Sequence, residues 1–214
     1  MSSFRGQSGA MLGAFLVILF TASSAIAQST NWGARGFVQF GRLALTASDT
    51  FKTLTGESAG SVLGGGAQLL IRRSIFVQVS FDQFRKSGER VFLYGADRFG
   101  LGIRDTVTIQ PILLTGGYRF IHRNIAPYVG GGFGSYSLKE DSDFSVGEEN
   151  VSERFNGYHI LGGADFSVLP WLAVGGELQW ATVGNALGRG GISEVLREDD
   201  LGGTTVRLKV LIGR

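Results

Sequence analysis

Residues 75–82 read IFVQVSFD and alternate apolar with polar side chains from Val77 onwards. One face of this run carries Ile75, Val77, Val79 and Phe81, and the other carries Gln78, Ser80 and Asp82. A period of two residues is typical of a β-strand with one apolar and one polar face. Seven other runs in the sequence repeat the pattern, so we predict an all-β chain of eight strands.

The lengths of the connections predict how these strands are arranged. The eight runs cover residues 32–45, 60–71, 75–85, 107–120, 128–140, 154–168, 171–183 and 201–214. Connections are long after odd-numbered runs and short after even-numbered runs. Outer-membrane barrels have long outer loops and short periplasmic turns. We therefore predict an antiparallel up-and-down transmembrane β-barrel, with Trp32, Phe120, Tyr128 and Trp171 forming an aromatic girdle at its periplasmic end.

Three stretches depart from this regular pattern. Pro111 removes one ladder donor from the fourth run, which predicts a bulge or a strand that enters the bilayer only after it. Residues 89–103 predict a hairpin around residues 94–97 that projects past the membrane. The last long connection predicts a short helix at residues 192–198.

The amino terminus has the features of a secretory signal peptide. Arg5 supplies the positive charge, residues 10–20 an apolar core, and Ala25-Ile26-Ala27 a small-residue cleavage pattern. The apolar run is shorter than the roughly 20 residues that a membrane-spanning helix needs. We predict a signal peptide at residues 1–27 and one barrel domain at residues 28–214.

Composition excludes several classes of protein. Cysteine is absent, so the chain has no disulfide, thiolate metal site or lipid-bearing cysteine. Removing Arg5 with the signal leaves 19 basic against 18 acidic residues, a balance that predicts no nucleic-acid partner. The mean hydropathy of +0.15 is too low for a helical membrane bundle. The 34 glycines fall mostly inside the alternating runs, which favours strands that bend around a small cylinder.

The chain resembles the porin-like outer-membrane β-barrels of the small OmpA/OmpW-like type. The resemblance rests on the alternating runs together with residues 117–120, residues 127–132 and the final run at residues 201–214. The resemblance covers essentially the whole mature chain. It implies an eight-stranded barrel in the cell outer membrane of a Gram-negative bacterium, inserted by the outer-membrane assembly machinery among lipid and lipopolysaccharide. Two departures are the lack of a following peptidoglycan-binding domain and the final Arg214, where many members end in an aromatic residue.

The polar faces of the strands carry the candidate site. The predicted lumen-facing charged set is Arg35, Arg72, Asp82, Asp165, Glu177, Arg207 and Lys209. Eight strands leave an interior just wide enough for side chains to fill, which favours a closed, salt-bridged lumen over a narrow path for small solutes. A secreted soluble barrel with the two faces reversed is a further alternative.

The sequence offers little catalytic chemistry. His159 and Asp165 share a strand face but lie six residues apart, roughly 20 Å, which is too far for direct pairing. His122 falls in a short turn, and no serine motif matches a lipid hydrolase, so we expect no enzyme. The acidic residues 140–153 lack the fixed ligand spacing of a calcium site and favour a solvated loop over a site that bridges lipopolysaccharide phosphates. We expect no cofactor.

The expected function is that of an integral outer-membrane protein with a structural or surface-interaction role, whose outer ligand is unknown. The alternative is a narrow porin for passive transport of small solutes.

Overall fold

A computed structural model describes residues 32–94, 97–142, 151–184, 186 and 198–213. The elements are β1 (Trp32–Leu45), α1 (Ser48–Thr55), β2 (Ala59–Ile71), β3 (Ile75–Tyr94), β4 (Asp97–Arg119), β5 (Ile125–Ser142), β6 (Val151–Leu169), β7 (Leu172–Thr182) and β8 (Gly203–Gly213). The predicted signal peptide and most of the predicted helix at residues 192–198 lie outside the described residues, so both stay predictions.

The strands form a closed antiparallel barrel in sequence order. Strand β8 closes the sheet against β1, with a ladder from Arg35 opposite Gly213 to Leu45 opposite Gly203. The connections after β1, β5 and β7 are longer than the turns after β2, β4 and β6, whereas β3 and β4 extend until only residues 95 and 96 separate them. The predicted fold class and topology are confirmed. We refer to the end with the short turns as the periplasmic end and to the other as the outer end.

The outer surface of the barrel is apolar. Each strand exposes large apolar side chains, among them Val38, Leu63, Val79, Leu114, Phe133, Ile160, Leu178 and Leu208. A continuous apolar belt of this extent is solvated by lipid rather than by water. The faces are therefore those of a membrane barrel, and the soluble barrel with reversed faces is excluded. No helix in the described residues is long and apolar enough to cross a bilayer.

Strands β3 to β6 rise above the rest of the barrel at the outer end. The β6–β7 ladder stops at the pair of Tyr158 and Thr182, whereas β5 and β6 stay paired up to Glu140 and Val151. Strands β3 and β4 continue further still, to Tyr94 opposite Asp97. The hairpin predicted at residues 89–103 is thus formed by the outer ends of β3 and β4, which continue from the barrel without a break.

The structure excludes one of the two alternatives for Pro111 and adds a helix that was not predicted. Strand β4 passes through Pro111 in one register, from Ile112 opposite Phe81 to Ile109 opposite Phe84, so Pro111 causes no bulge; entry into the bilayer only after Pro111 stays a prediction. The barrel accepts Pro111 by leaving its ladder to β3 open only at the two intervening pairs. The loop after β1 contains a helix, α1, which ends at Gly56 with φ of 81°, a left-handed value that favours glycine.

The proposed periplasmic girdle is corrected at one position. Trp32, Phe120 and Trp171 are exposed near the short turns, but Tyr128 is 3% exposed and points into the barrel. Its parity in β5 places it on the inner face, because its neighbour Val129 faces lipid. Exposed Tyr118, which packs edge-on against Phe120 with ring centroids 5.0 Å apart, lies in the girdle instead.

Candidate functional site in the barrel interior

A layer of four charged side chains crosses the middle of the barrel. Arg207 donates from Nη2 to Asp82 at 2.6 Å and from Nη1 to Glu177 at 3.2 Å. Lys209 donates to the other carboxylate oxygen of Glu177, which also accepts the hydroxyl of Tyr128 at 3.0 Å. The four charged side chains are at most 4% exposed. We call Asp82, Glu177, Arg207 and Lys209 the central layer; its charges balance.

Neutral polar side chains add hydrogen bonds to this layer, although Nε of Arg207 has no hydrogen-bond partner among the described residues. Gln39 donates to Asp82 at 2.6 Å, and Gln179 accepts from Arg207 at 2.7 Å. His159 and Thr115 are bonded to each other at 2.8 Å between Nε2 and Oγ1. Buried charges are tolerated when each has partners of this kind. The interior at this level is therefore packed with side chains that hold one another.

A second charged cluster lies closer to the periplasmic end. Asp165 accepts from Arg35 and from Arg119, each at 3.3 Å, and Arg119 and Asp165 are at most 3% exposed. Arg119 also donates to the backbone carbonyl of Arg73 at 3.5 Å. This cluster carries two cations and one anion, and it ties β1, β4 and β6 together.

Glycines provide the room for these side chains. Gly41 lies across the ladder from Arg207, Gly64 from Asp82, Gly163 from Glu177 and Gly175 from Lys209. A methyl group on Gly64 would lie 2.1 Å from a carboxylate oxygen of Asp82. A small residue opposite each large charged one lets the interior hold four such side chains at one level. Strand bending, predicted from composition, is thus not the whole reason for the glycine content.

The structure places six of the seven predicted lumen residues inside the barrel and one outside. Arg72 is exposed in the turn after β2, with φ of 50°. Its prediction as a lumen residue is wrong because the strand ends at Ile71, and the alternation of faces stops with the strand. Arg119 and Tyr128, which the prediction missed, have the inward parity of their own strands.

The outer half of the interior is apolar. Its buried cluster is made of Leu45, Ala47, Phe51, Val62, Phe84, Val107, Ile109, Leu113, Tyr136, Ala181, Val183, Ala186 and Leu201. Helix α1 contributes Phe51, which is 3% exposed, and so covers this cluster from the outer side. We call these residues the outer plug. A cavity of about 30 Å³, bordered by Asp82, Tyr136 and Arg207, separates the plug from the central layer. This volume suits about one water molecule.

Connections at the outer end hold α1 in place. Glu198 accepts the backbone amides of Asp49 and Thr50, at 3.2 and 2.7 Å, in the first turn of the helix. Since Ala47 supplies no side-chain cap, a residue from the last connection caps the helix instead. Burial alone would raise the pKa of Glu198, but the hydrogen bonds from Thr50 and Asp49 outweigh it and lower that pKa below its ordinary value.

The two histidines occupy structural positions in the described part of the chain. His159 is 2% exposed and bonded to Thr115, and His122 is exposed in a turn where it pairs with Ile125. Among the described residues no three His, Asp or Glu side chains converge as metal ligands. Most of the acidic loop at residues 140–153 lies outside the described residues. The arrangement present is suited to filling and bracing the barrel.

Solved structures with the same fold are outer-membrane barrels. The attachment invasion locus protein Ail of Yersinia pestis, solved with the heparin analogue sucrose octasulfate, is similar with a TM-score of 0.54 and 12% identity; the alignment covers 87% of this chain and 100% of Ail. Neisserial surface protein A is similar with a TM-score of 0.52 and 11% identity, over 85% of this chain and 95% of that one. No protein-family model and no curated protein sequence matches the chain.

The fold and its apolar surface define an eight-stranded transmembrane β-barrel of the outer-membrane type. The predicted resemblance to small outer-membrane barrels is confirmed at the level of the fold, and with it the location in an outer membrane.

Proposed function

We propose that this protein is a closed, non-conducting outer-membrane barrel with a structural or surface-interaction role and no catalytic activity. One observation carries the proposal: the interior is filled at three successive levels, by the Asp165 cluster, the central layer and the outer plug. An ion crossing the barrel would have to separate two sets of buried ion pairs and then cross an apolar section. Each of these steps is strongly unfavourable.

The surface role rests on the outer end. Strands β3 to β6 present a raised wall there, and α1 is fixed beside it by Glu198. Ail, in complex with sucrose octasulfate, is a barrel of this fold that holds a ligand. Insertion by the outer-membrane assembly machinery, and cleavage of residues 1–27 to release a barrel domain at 28–214, belong to the same proposal and follow from the sequence resemblance.

The runner-up is a narrow porin for small solutes. The cavity between the central layer and the outer plug favours it, because Asp82 and Arg207 border a space that could hold one small polar molecule. A pore would require the plug to move away from this cavity. A conducting barrel therefore requires the outer plug to leave the interior, whereas a closed barrel requires it to stay.

Planar-bilayer recording of the purified, refolded protein tests the proposal. We expect no unit conductance from samples that run as fully folded, heat-modifiable barrels on gels. An open porin recorded in the same chamber serves as the positive control for detection. Reproducible unit conductance from the folded wild-type protein would overturn the closed barrel in favour of the porin.

A further inference from the structure

The exposed charges of this barrel are divided between its two ends. Apart from the three acidic residues inside the barrel, all Asp and Glu residues fall in residues 46–61, 85–106, 140–157 and 183–200 of the sequence, and the described ones among them lie toward the outer end. The stretches at residues 62–81 and 107–138, which lead into and out of two periplasmic turns, contain none. The turns in those two stretches carry three exposed arginines, Arg72, Arg73 and Arg123. We call these three residues the periplasmic arginine face.

None of the three arginines makes an ion pair within the described residues. They are also the only non-glycine residues there with positive φ, at 50°, 62° and 52°. Glycine and asparagine are the residues that this backbone region favours. Each of the positions therefore holds a long cationic side chain where the backbone favours a small one. Folding alone does not explain that choice.

The two turns are held against each other. The backbone amide of Arg119, at the end of β4, donates to the carbonyl of Ser74 at 2.6 Å, and its guanidinium donates to the carbonyl of Arg73 at 3.5 Å. Arg119 is itself fixed by Asp165. The turns that carry the three arginines are therefore neighbours on the periplasmic rim.

Their depth in the membrane follows from the residues beside them. Tyr118, Phe120 and Ile121 are about half exposed, next to the turn that carries Arg123. Ile75 is exposed in the same way beside the turn that carries Arg72 and Arg73. Aromatic girdles lie at the level of the lipid headgroups, and one residue of strand spans only about 3.3 Å. The guanidinium groups consequently reach the plane of the phosphates.

We propose that the periplasmic arginine face binds the phosphate groups of anionic phospholipids in the inner leaflet of the outer membrane. A guanidinium group matches a phosphate through two parallel hydrogen bonds. No carboxylate in the same stretches competes for these arginines. The face therefore favours phospholipids with a net negative headgroup over zwitterionic ones and helps to fix the depth and direction of insertion.

Tryptophan quenching by brominated lipids tests this proposal. A Trp180→Phe background leaves Trp32 and Trp171, both exposed near the periplasmic end, as reporters. The protein is folded into phosphatidylcholine vesicles that contain either brominated phosphatidylglycerol or brominated phosphatidylcholine. We expect stronger quenching by brominated phosphatidylglycerol, with a preference that weakens as salt is added. The gain in local lipid affinity is on the order of fivefold for each basic side chain at an anionic surface.

A triple variant, Arg72→Gln, Arg73→Gln and Arg123→Gln, is expected to abolish the preference. The matched control changes three exposed arginines of the outer end, Arg42, Arg85 and Arg154, to Gln and loses the same net charge. This control is expected to keep the preference. Equal quenching by both lipids in the Trp180→Phe protein, or a preference that survives in the periplasmic triple variant, would overturn the proposal. Loss of the preference in millimolar inorganic phosphate, but not in sodium chloride of equal ionic strength, would assign the face to free phosphate and refute the lipid.

Discussion

Replacing Glu177 with Gln tests whether the central layer holds the barrel together. The change keeps the shape of the side chain but removes its charge, so the layer changes from neutral to a net charge of +1. Lys209, whose side chain is 2% exposed, loses its only carboxylate among the described residues, and Arg207 retains Asp82. Removing one partner of a buried ion pair costs about 3–5 kcal/mol. At about 1.4 kcal/mol per tenfold, the folding equilibrium should fall by two to four decades.

The assay is reversible urea unfolding of the barrel in lipid vesicles, followed by tryptophan fluorescence and by the gel shift of the folded form. A loss of stability below about 1 kcal/mol, the range of exposed ion pairs, would refute the assignment of a buried, mutually dependent layer. That result would mean that Lys209 finds water or another partner without cost.

A double variant separates charge pairing from packing. Glu177→Leu together with Lys209→Met replaces one anion and one cation by apolar side chains of similar volume. Replacing a buried pair in this way is often neutral or stabilising. We therefore expect the double variant to recover most of the stability that either single change loses. If the two losses simply add, the side chains act independently and the central layer is not a charge-paired unit.

Two further predictions concern the outer helix and the glycines. Because its folded pKa lies below the ordinary 4.5, Glu198 contributes stability to α1 that is complete above about pH 4.5 and is lost as the pH falls through the lowered value. Glu198→Gln should destabilise α1 by about 1 kcal/mol at neutral pH and abolish this acid sensitivity. The measurement is hydrogen exchange of the backbone amides of residues 48–55, Thr50 included, as a function of pH. Identical pH profiles for the wild-type protein and the variant would contradict the prediction. Gly117→Ala should destabilise the barrel by about 1–3 kcal/mol in urea unfolding, since the new methyl group would lie 2.4 Å from the ring of Phe76. Gly116→Ala, on the lipid face with no atom within 4 Å, is the matched control and should stay within about 0.5 kcal/mol; equal losses at the two positions would refute the steric explanation.

The strands and their faces could be predicted because alternation is a local property. In β8, Val206, Leu208 and Val210 are exposed and Arg207 and Lys209 are buried, as the order of apolar and polar residues indicates. The same rule extends only as far as the strand itself. It failed at Arg72, one residue beyond the end of β2, and it gave no sign of α1, whose cap comes from a residue far along the chain.

The partners inside the barrel depend on register, which a single sequence does not contain. Gly41 faces Arg207 only because β8 closes the sheet on β1 with one particular offset. A shift by one residue would turn every inward side chain toward lipid, so the hydrophobic pattern limits the choice without selecting one alignment. Arg119 shows a second limit. Alternation along β4 predicts that its side chain points inward, but its ion pair with Asp165 depends on how β4 and β6 are placed in the barrel.

Closure and stability are coupled in this barrel. The side chains that block a path through the interior are the same ones that satisfy its buried charges: Arg207 bonds both Asp82 and Glu177 across the middle. A change that widened the interior would leave a charge unpaired in a low-dielectric environment, and the resulting loss would be a large part of the stability of a domain. The interior is therefore constrained as a structural element. The ends of β3 to β6 that rise beyond the rest of the barrel lie outside that constraint, so residues there can change without loss of the barrel.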